Sequence, residues 1–218
     1  MNDYVSPQWT HSALLTIDVQ RDFTLPGAVL PIPGTIEVLP AMRRLLAMYR
    51  KAKLPIVHIV RLYLQDGSNA DLCRRRQIED GLTMAVPGTD GSQLVDELLP
   101  TAGIRLDADL LLSGERQQIG PNEWILYKSR FGAFFQTRLN EYLREMGVTT
   151  VVVSGCNFPN CPRTTMYEAS ERDFRIVAII DAISGAYERG MEELKGIGVQ
   201  LVSADECVVS IQALQGKN

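Results

Sequence analysis

The stretch Thr149-Thr-Val-Val-Val-Ser154, followed by Gly155-Cys-Asn-Phe-Pro-Asn-Cys-Pro162, decides the fold. Its first half is β-branched almost throughout, the composition of a strand buried on both faces of a parallel sheet. Gly155 ends that run and lets the backbone turn tightly. Pro162 suits the first turn of a helix, so the strand is expected to pass through a short loop into a helix from about Pro162 to Arg172.

The same rhythm recurs on both sides of this unit. Short apolar runs at 13–17, 55–60, 124–127, 175–180 and 199–203 read as further strands. Between them, Leu39, Met42, Leu46 and Tyr49 fall on one helical face. Phe135, Leu139, Tyr142, Leu143 and Met146 fall on another, closed by Gly147. Strand and helix alternating in this way make right-handed crossovers and a sheet covered on both faces. The expected fold is therefore α/β, three-layer and Rossmann-like, with a mostly parallel sheet of about six strands. The 218 residues fit one domain, 1–218. From about 62 to 123 the rhythm breaks. Turn chemistry at Asp66-Gly67-Ser68-Asn69 and Pro87-Gly88-Thr89-Asp90-Gly91, with one short helix near Gln93 to Leu99, reads as an excursion over one end of the sheet. Such a long excursion is expected to serve as a lid or a subunit contact.

Composition removes several classes of function. With 45% hydrophobic and 22% charged residues the chain is neither disordered nor a repetitive fibre. A formal charge of −4 leaves no basic footprint for nucleic acid. The run Arg74-Arg75-Arg76 reads as a solvated face, with substrate steering or a subunit contact as its functional alternatives. The segment Met1 to His11 is polar, and no apolar stretch approaches the ~20 residues of a membrane helix. Four irregularly placed cysteines read as free thiols in a reducing compartment. The expectation is a cytoplasmic protein with a small-molecule substrate and neither a nucleic-acid nor a membrane partner.

Ligands of open parallel sheets bind beyond the carboxyl ends of the strands. Three reactive side chains fall there: Asp18 after the first strand, Lys128 after the Trp124 strand, and Cys161 past the Val151 strand. Singly, these are a cap, a solvated charge and a buried hydrophobe. Their convergence on one edge points to a site. Cys161 at a helix N-terminus is expected to be activated by the helix dipole, which favours thiolate, and free backbone N–H groups there can hold an oxyanion. Cys156 and Cys161 as a metal pair is the competing reading. Their spacing is not a standard zinc pair, and only His11, His58, Cys73 and Cys207 remain to complete a site.

Asp18 in Ile-Asp-Val-Gln-Arg-Asp-Phe, Lys128 in Leu-Tyr-Lys-Ser-Arg-Phe-Gly-Ala-Phe, and the loop from Gly155 to Cys161 with Thr165 and Ala169 resemble the isochorismatase-like cysteine hydrolases. The resemblance extends to Pro87-Gly88-Thr89. It implies a triad of Asp18, Lys128 and Cys161, in which Asp18 takes the thiol proton and the thiolate attacks a small amide, urea or carbamoyl carbonyl. It further implies backbone N–H groups of Asn157 and Cys161 as an oxyanion hole, a cis peptide at Cys156–Asn157, and a homo-oligomer, dimer or tetramer. An isochorismatase-type vinyl ether hydrolase and a catalytically idle binding subunit are the alternatives. Phe23, Phe134 and Phe158 are candidates for the substrate pocket, with plain core packing as the competing reading for Phe23 and Phe134. Nicotinamidases of similar fold bind a divalent metal through an Asp-x-His motif after the second strand. The stretch 59–69 has no histidine here, and His58 reads as a satisfied core residue. No metal, no cofactor and no nicotinamide substrate are therefore expected.

Overall fold

The computed structural model describes residues 3–215. Seven strands form one sheet: β1 (Ser12–Ile17), β2 (Ile56–Val60), β3 (Gln117–Gly120), β4 (Glu123–Tyr127), β5 (Thr150–Gly155), β6 (Arg175–Ile183) and β7 (Gln200–Val202). Their order is β3-β4-β2-β1-β5-β6-β7, and all pairings are parallel except β3 with β4. Eight α-helices accompany them among the described residues: α1 (Arg21–Thr24), α2 (Leu39–Ala52), α3 (Leu72–Glu79), α4 (Ala108–Leu112), α5 (Leu139–Glu145), α6 (Cys161–Ser170), α7 (Glu188–Gly196) and α8 (Ala204–Gln215). The chain is thus α/β with a mostly parallel sheet, one strand larger than the sequence suggested.

Alternation along each strand sends neighbouring side chains to opposite faces. Leu15, Ile17, Val151, Val153 and Ile176 pack with α5, α6 and α7. Leu14, Ile56, Val152, Val177 and Ile179 pack with α2 and α8. Both faces are therefore dry, which explains why the central strands read as continuous apolar runs. Strand order reverses at β1: the chain builds outward through β2 and β4, then returns to β1's other side with β5. The carboxyl ends of β1 and β5 thus flank a topological switch point, the usual location of a ligand crevice in such sheets.

Three local expectations differ from the structure. The helix marked by Phe135 to Met146 begins only at Leu139. Before it, Gln136 sits at φ +50°, a left-handed conformation that a continuous helix cannot include. The helix near Gln93 to Leu99 is a single 3₁₀ turn at Asp96–Leu98, because Leu94 pairs instead with Gln20. The stretch 62–123 holds α3, α4 and the edge strand β3, and so contributes to the sheet as well as covering one end of it. Among the described residues no helix is long and apolar enough to cross a membrane.

Candidate active site

Backbone hydrogen bonds fix the three reactive side chains at one edge. The Asp18 N–H donates to the Ile59 carbonyl (2.9 Å), the Lys128 N–H to Val60 (3.0 Å), and the Cys156 N–H to Ile17 (2.8 Å). Each strand end is thereby stitched to its neighbour. Asp18 itself adopts φ +54°, a left-handed conformation that Asp tolerates better than most residues. Gly155 has φ +126°, and a Cβ there would lie 2.3 Å from the Ile17 carbonyl oxygen. Only glycine lets β5 leave the sheet so close to β1.

Lys128 is fully buried, and its Nζ donates to Asp18 Oδ2 at 2.7 Å. Oδ1 of Asp18 is buried with no hydrogen-bond partner. Asp18 and Cys161 line the same cleft, and the Asp18 charge acts on the Cys161 thiol. An unpaired buried carboxylate oxygen is costly, and such orphans cluster where they are used. Cys161 opens α6 as expected, and Thr165 ties it down by donating to the Cys161 carbonyl at 2.7 Å. The Cys156–Asn157 peptide is cis. The N–H groups of Asn157 and Cys161 have no hydrogen-bond partner among the described residues.

One expectation about Cys161 is corrected. Burial pushes its pKa up, the Asp18 charge pushes it further, and Lys128 and Arg61 only partly offset them. Cys161 opens α6 as foreseen, but burial and the Asp18 charge together raise its pKa. The resting sulfur is a thiol. Cys156 is pushed up to about 12, chiefly by burial.

These residues open onto a tight cleft whose volume is about 30 Å³, well below the roughly 300–1,000 Å³ typical of ligand sites. Phe23, Leu30, Ile32, Met84 and Phe131 make it largely apolar, with Arg61, Tyr63, Arg74 and Asn160 as polar groups beside the reactive residues. Phe23 thus lines the cleft. Phe134 and Phe158 do not: Phe134 packs on Phe174 with ring centroids 5.8 Å apart, and Phe158 lies edge-on to Tyr187 at 5.2 Å. Both belong to the core under α6.

Arg61 and Arg74 escaped the sequence reading as pocket residues. Arg61 follows β2 directly, so the strand-end argument that found Asp18 and Lys128 could have found it. Its Nη2 is 3.9 Å from the Cys161 sulfur, its Nη1 is 2.9 Å from Asp71 Oδ2, and its guanidinium lies 5.4 Å from the Tyr63 and Phe131 ring centroids. Nη1 gives its hydrogen bond to the Ser129 carbonyl (3.0 Å), so the Asp71 contact is charge to charge. Gln20 clamps this wall: its side chain accepts from the Arg61 N–H and donates to the Arg61 and Ser92 carbonyls. His58 is a satisfied core residue as expected, bonded to Thr16 Oγ1 (2.7 Å) and Glu123 Oε1 (2.8 Å).

Sheet order, switch point and the buried Asp–Lys pair beside a cysteine define a class, and comparison with known proteins agrees. The isochorismatase domain profile matches residues 12–106 and 111–206. The chain belongs to the isochorismatase-like hydrolase superfamily. A probable inactive nicotinamidase of Arabidopsis thaliana is 29% identical over 208 residues, covering 93% of this chain and 97% of that protein. Maleamate amidohydrolase of Pseudomonas putida is 25% identical over 211 residues, covering 94% and 88%. An isochorismatase family protein from Desulfovibrio vulgaris superposes with a TM-score of 0.77 at 31% identity, covering 93% and 98%.

Proposed function

We propose that this protein is a cysteine hydrolase that cleaves the C–N bond of a small amide, urea or carbamoyl-type substrate through a thioester on Cys161. The observation that carries the reading is the division of labour at Asp18. One oxygen is held by Lys128, and the other is buried and unpaired on the cleft that Cys161 also lines. A base so placed has one proton to take.

Asp18 accepts the Sγ proton as the sulfur attacks the carbonyl carbon. The negative charge then on the substrate oxygen is met by the N–H groups of Asn157 and Cys161. Collapse breaks the C–N bond, and Asp18 returns its proton to the leaving nitrogen, releasing an amine or ammonia. Water attacks the thioester while Asp18 takes its proton. The acid departs, and the sulfur regains its hydrogen. Lys128 holds Asp18 in place throughout, and Arg61 adds positive charge beside the sulfur in its anionic states.

A nicotinamidase-type metal does not fit the donors present. Among the described residues no three His, Cys, Asp or Glu side chains cluster, and two arginines face the cleft, where they would repel a divalent cation. Activity is therefore expected to survive dialysis against EDTA. Loss restored by zinc, manganese or iron would contradict this.

The functional test is ammonia or amine release across small amides, ureas, carbamates and lactams, with Cys161→Ala and Cys156→Ser alongside. The expected result is turnover by wild type and Cys156→Ser but not by Cys161→Ala. Equal turnover by Cys161→Ala would end the thioester reading, and silence across the whole panel would favour an idle family member.

A further inference from the structure

Two neighbouring N–H groups in the loop after Lys128 are held by one face of the helix that Cys161 opens. Thr165 and Glu168 are three residues apart on α6 and so share that face. Thr165 Oγ1 accepts from the Ala133 N–H at 3.1 Å while donating to the Cys161 carbonyl, and Glu168 Oε2 accepts from the Phe134 N–H at 2.9 Å. Glu168 is half-buried, and its carboxylate makes no ion pair and no other hydrogen bond among the described residues. Its part is to accept. The acceptor lies so close to the loop that a Cβ on Gly132 would stand 2.1 Å from Oε2.

The other end of the loop grips the cleft wall. The Ser129 carbonyl accepts from Arg61 Nη1 at 3.0 Å and from Arg130 Nη1 at 2.9 Å, and the Phe131 ring centroid lies 5.4 Å from the Arg61 guanidinium. Arg130 also donates to the Asn69 carbonyl at 2.8 Å, which ties the loop to the excursion. Arg61 Nη2 in turn is 3.9 Å from the Cys161 sulfur. The loop is thus a strut. Helix α6 holds one end, and the other sets a cation beside the nucleophile at the start of the same helix. That cation acts on the thiol through a Coulomb energy set by their separation, so moving the strut changes the sulfur.

We propose that Glu168 is a positioning residue: by holding the Phe134 N–H it fixes the 128–134 loop, and that loop, through Ser129 and Phe131, seats Arg61 beside Cys161. Its effect on turnover rests on the hydrolase reading; its effect on the sulfur does not. The first experiment therefore needs no substrate. Iodoacetamide labelling of Cys161 is followed against pH by mass spectrometry in wild type, Glu168→Ala, Glu168→Gln, Gly132→Ala and the Gly132→Ala/Glu168→Ala double variant. The charged and titratable groups around the sulfur are Asp18, Arg61, Tyr63, Arg74, Lys128 and Cys156, and every variant keeps them all. Loss of Arg61's seat should raise the labelling midpoint of Glu168→Ala by roughly half a pH unit or more. Removing a carboxylate can by its own charge only lower that midpoint, so a rise reports position. Glu168→Gln keeps an acceptor oxygen and should restore most of the wild-type value. Gly132→Ala displaces the carboxylate and should copy Glu168→Ala, with no further rise in the double variant. It also carries the test if Glu168→Ala does not fold. The second experiment reads turnover of whichever amide proves active. In Glu168→Ala and Gly132→Ala kcat should fall roughly 10- to 100-fold, the scale of a small misplacement near reacting groups, with KM changed far less.

An unchanged or lowered midpoint in both single Ala variants would overturn the proposal, whatever stability they lose. So would a Glu168→Gln variant as impaired as Glu168→Ala, rises that add in the double variant, or a kinetic loss confined to KM. Raised midpoints without turnover of any amide by wild type would remove the hydrolase reading and leave the positioning role standing.

Discussion

At Cys161 two influences compete for one proton. Burial and the Asp18 carboxylate hold it on the sulfur, while Lys128 and Arg61 pull the other way. Asp18 thus adds to burial in holding the proton on the thiol and is also the group that removes it during attack. Asp18→Asn separates the roles. The pH at which iodoacetamide labelling rises should move down, because the anion is gone and both cations remain. Turnover should fall about 10²–10⁴-fold, the usual contribution of a general base. A labelling midpoint that stays or rises would contradict the placement of Asp18. Lys128→Met strands a buried carboxylate and should cost about 3–5 kcal/mol by urea unfolding, with part recovered in the double variant with Asp18→Asn. Full additivity of the two losses would contradict the pairing. The triad was legible because each member ends or follows a strand at the edge where ligands bind. The pocket was less so. Phe158 and Phe134 lie close to the reactive residues in sequence, yet they face the core, and nothing in local spacing reveals that. Arg74 looked like one of three solvated arginines because no periodic pattern places its helix.

The turn at Gly155 joins two elements that must nearly touch. Gly155→Ala adds a methyl group 2.3 Å from the Ile17 carbonyl oxygen, at a φ of +126° that a side chain rarely adopts. Backbone strain of this kind costs about 1–3 kcal/mol before any overlap is counted. The expected outcome is a loss of at least about 2 kcal/mol in urea unfolding, together with lost activity, because β5 carries the loop that positions Asn157 and Cys161. A loss below about 0.5 kcal/mol, the range of unremarkable surface changes, would contradict the close approach. The strand and helix on either side of this turn were readable because β-branched residues, glycine and proline each specify one backbone state. Elements of the excursion were not. The α3 helix buries only Ile78 and so lacks an apolar stripe. Four-residue β3 is an edge strand without full burial, which leaves no two-sided signature. Helix α5 starts late because Gln136 takes a left-handed φ of +50°, which local spacing does not reveal.

Across the whole molecule, chemistry and acid stability sit at opposite ends of the sheet. At the far end, His58 and Arg50 converge on Glu123, with Arg50 donating at 2.6 and 2.9 Å. Burial raises the Glu123 pKa, but bonds from Arg50 and His58 outweigh it and bring the group down to about 2 from 4.5. Burial also lowers the pKa of His58, against the pull of Glu123, so the folded state holds it neutral. Both folded-state values lie below their unfolded ones. Their stabilisation is therefore complete above about pH 6.5, begins to fall there as the unfolded histidine protonates, and falls further from 4.5 towards 2 as Glu123 titrates. The Glu123 part is worth roughly 3 kcal/mol. Glu123→Gln should lower Tm at neutral pH and flatten its fall in acid, and parallel curves for variant and wild type would contradict the linkage. The parallel sheet and the edge where its reactive side chains gather were foreseeable from the alternation of strands and helices; the strand order was not. This polar cluster was not, since a strand-interior histidine reveals neither its partners nor its proton. The central claim is covalent catalysis at Cys161, and one measurement meets it directly: rapid-quench intact mass spectrometry during turnover of the best amide found. The account predicts wild-type protein heavier by the acyl group, the mass mapping to the peptide that carries Cys161, and no adduct on Cys161→Ala. Turnover with no adduct in wild type, even with hydroxylamine intercepting the product, or an adduct persisting in Cys161→Ala, would contradict it.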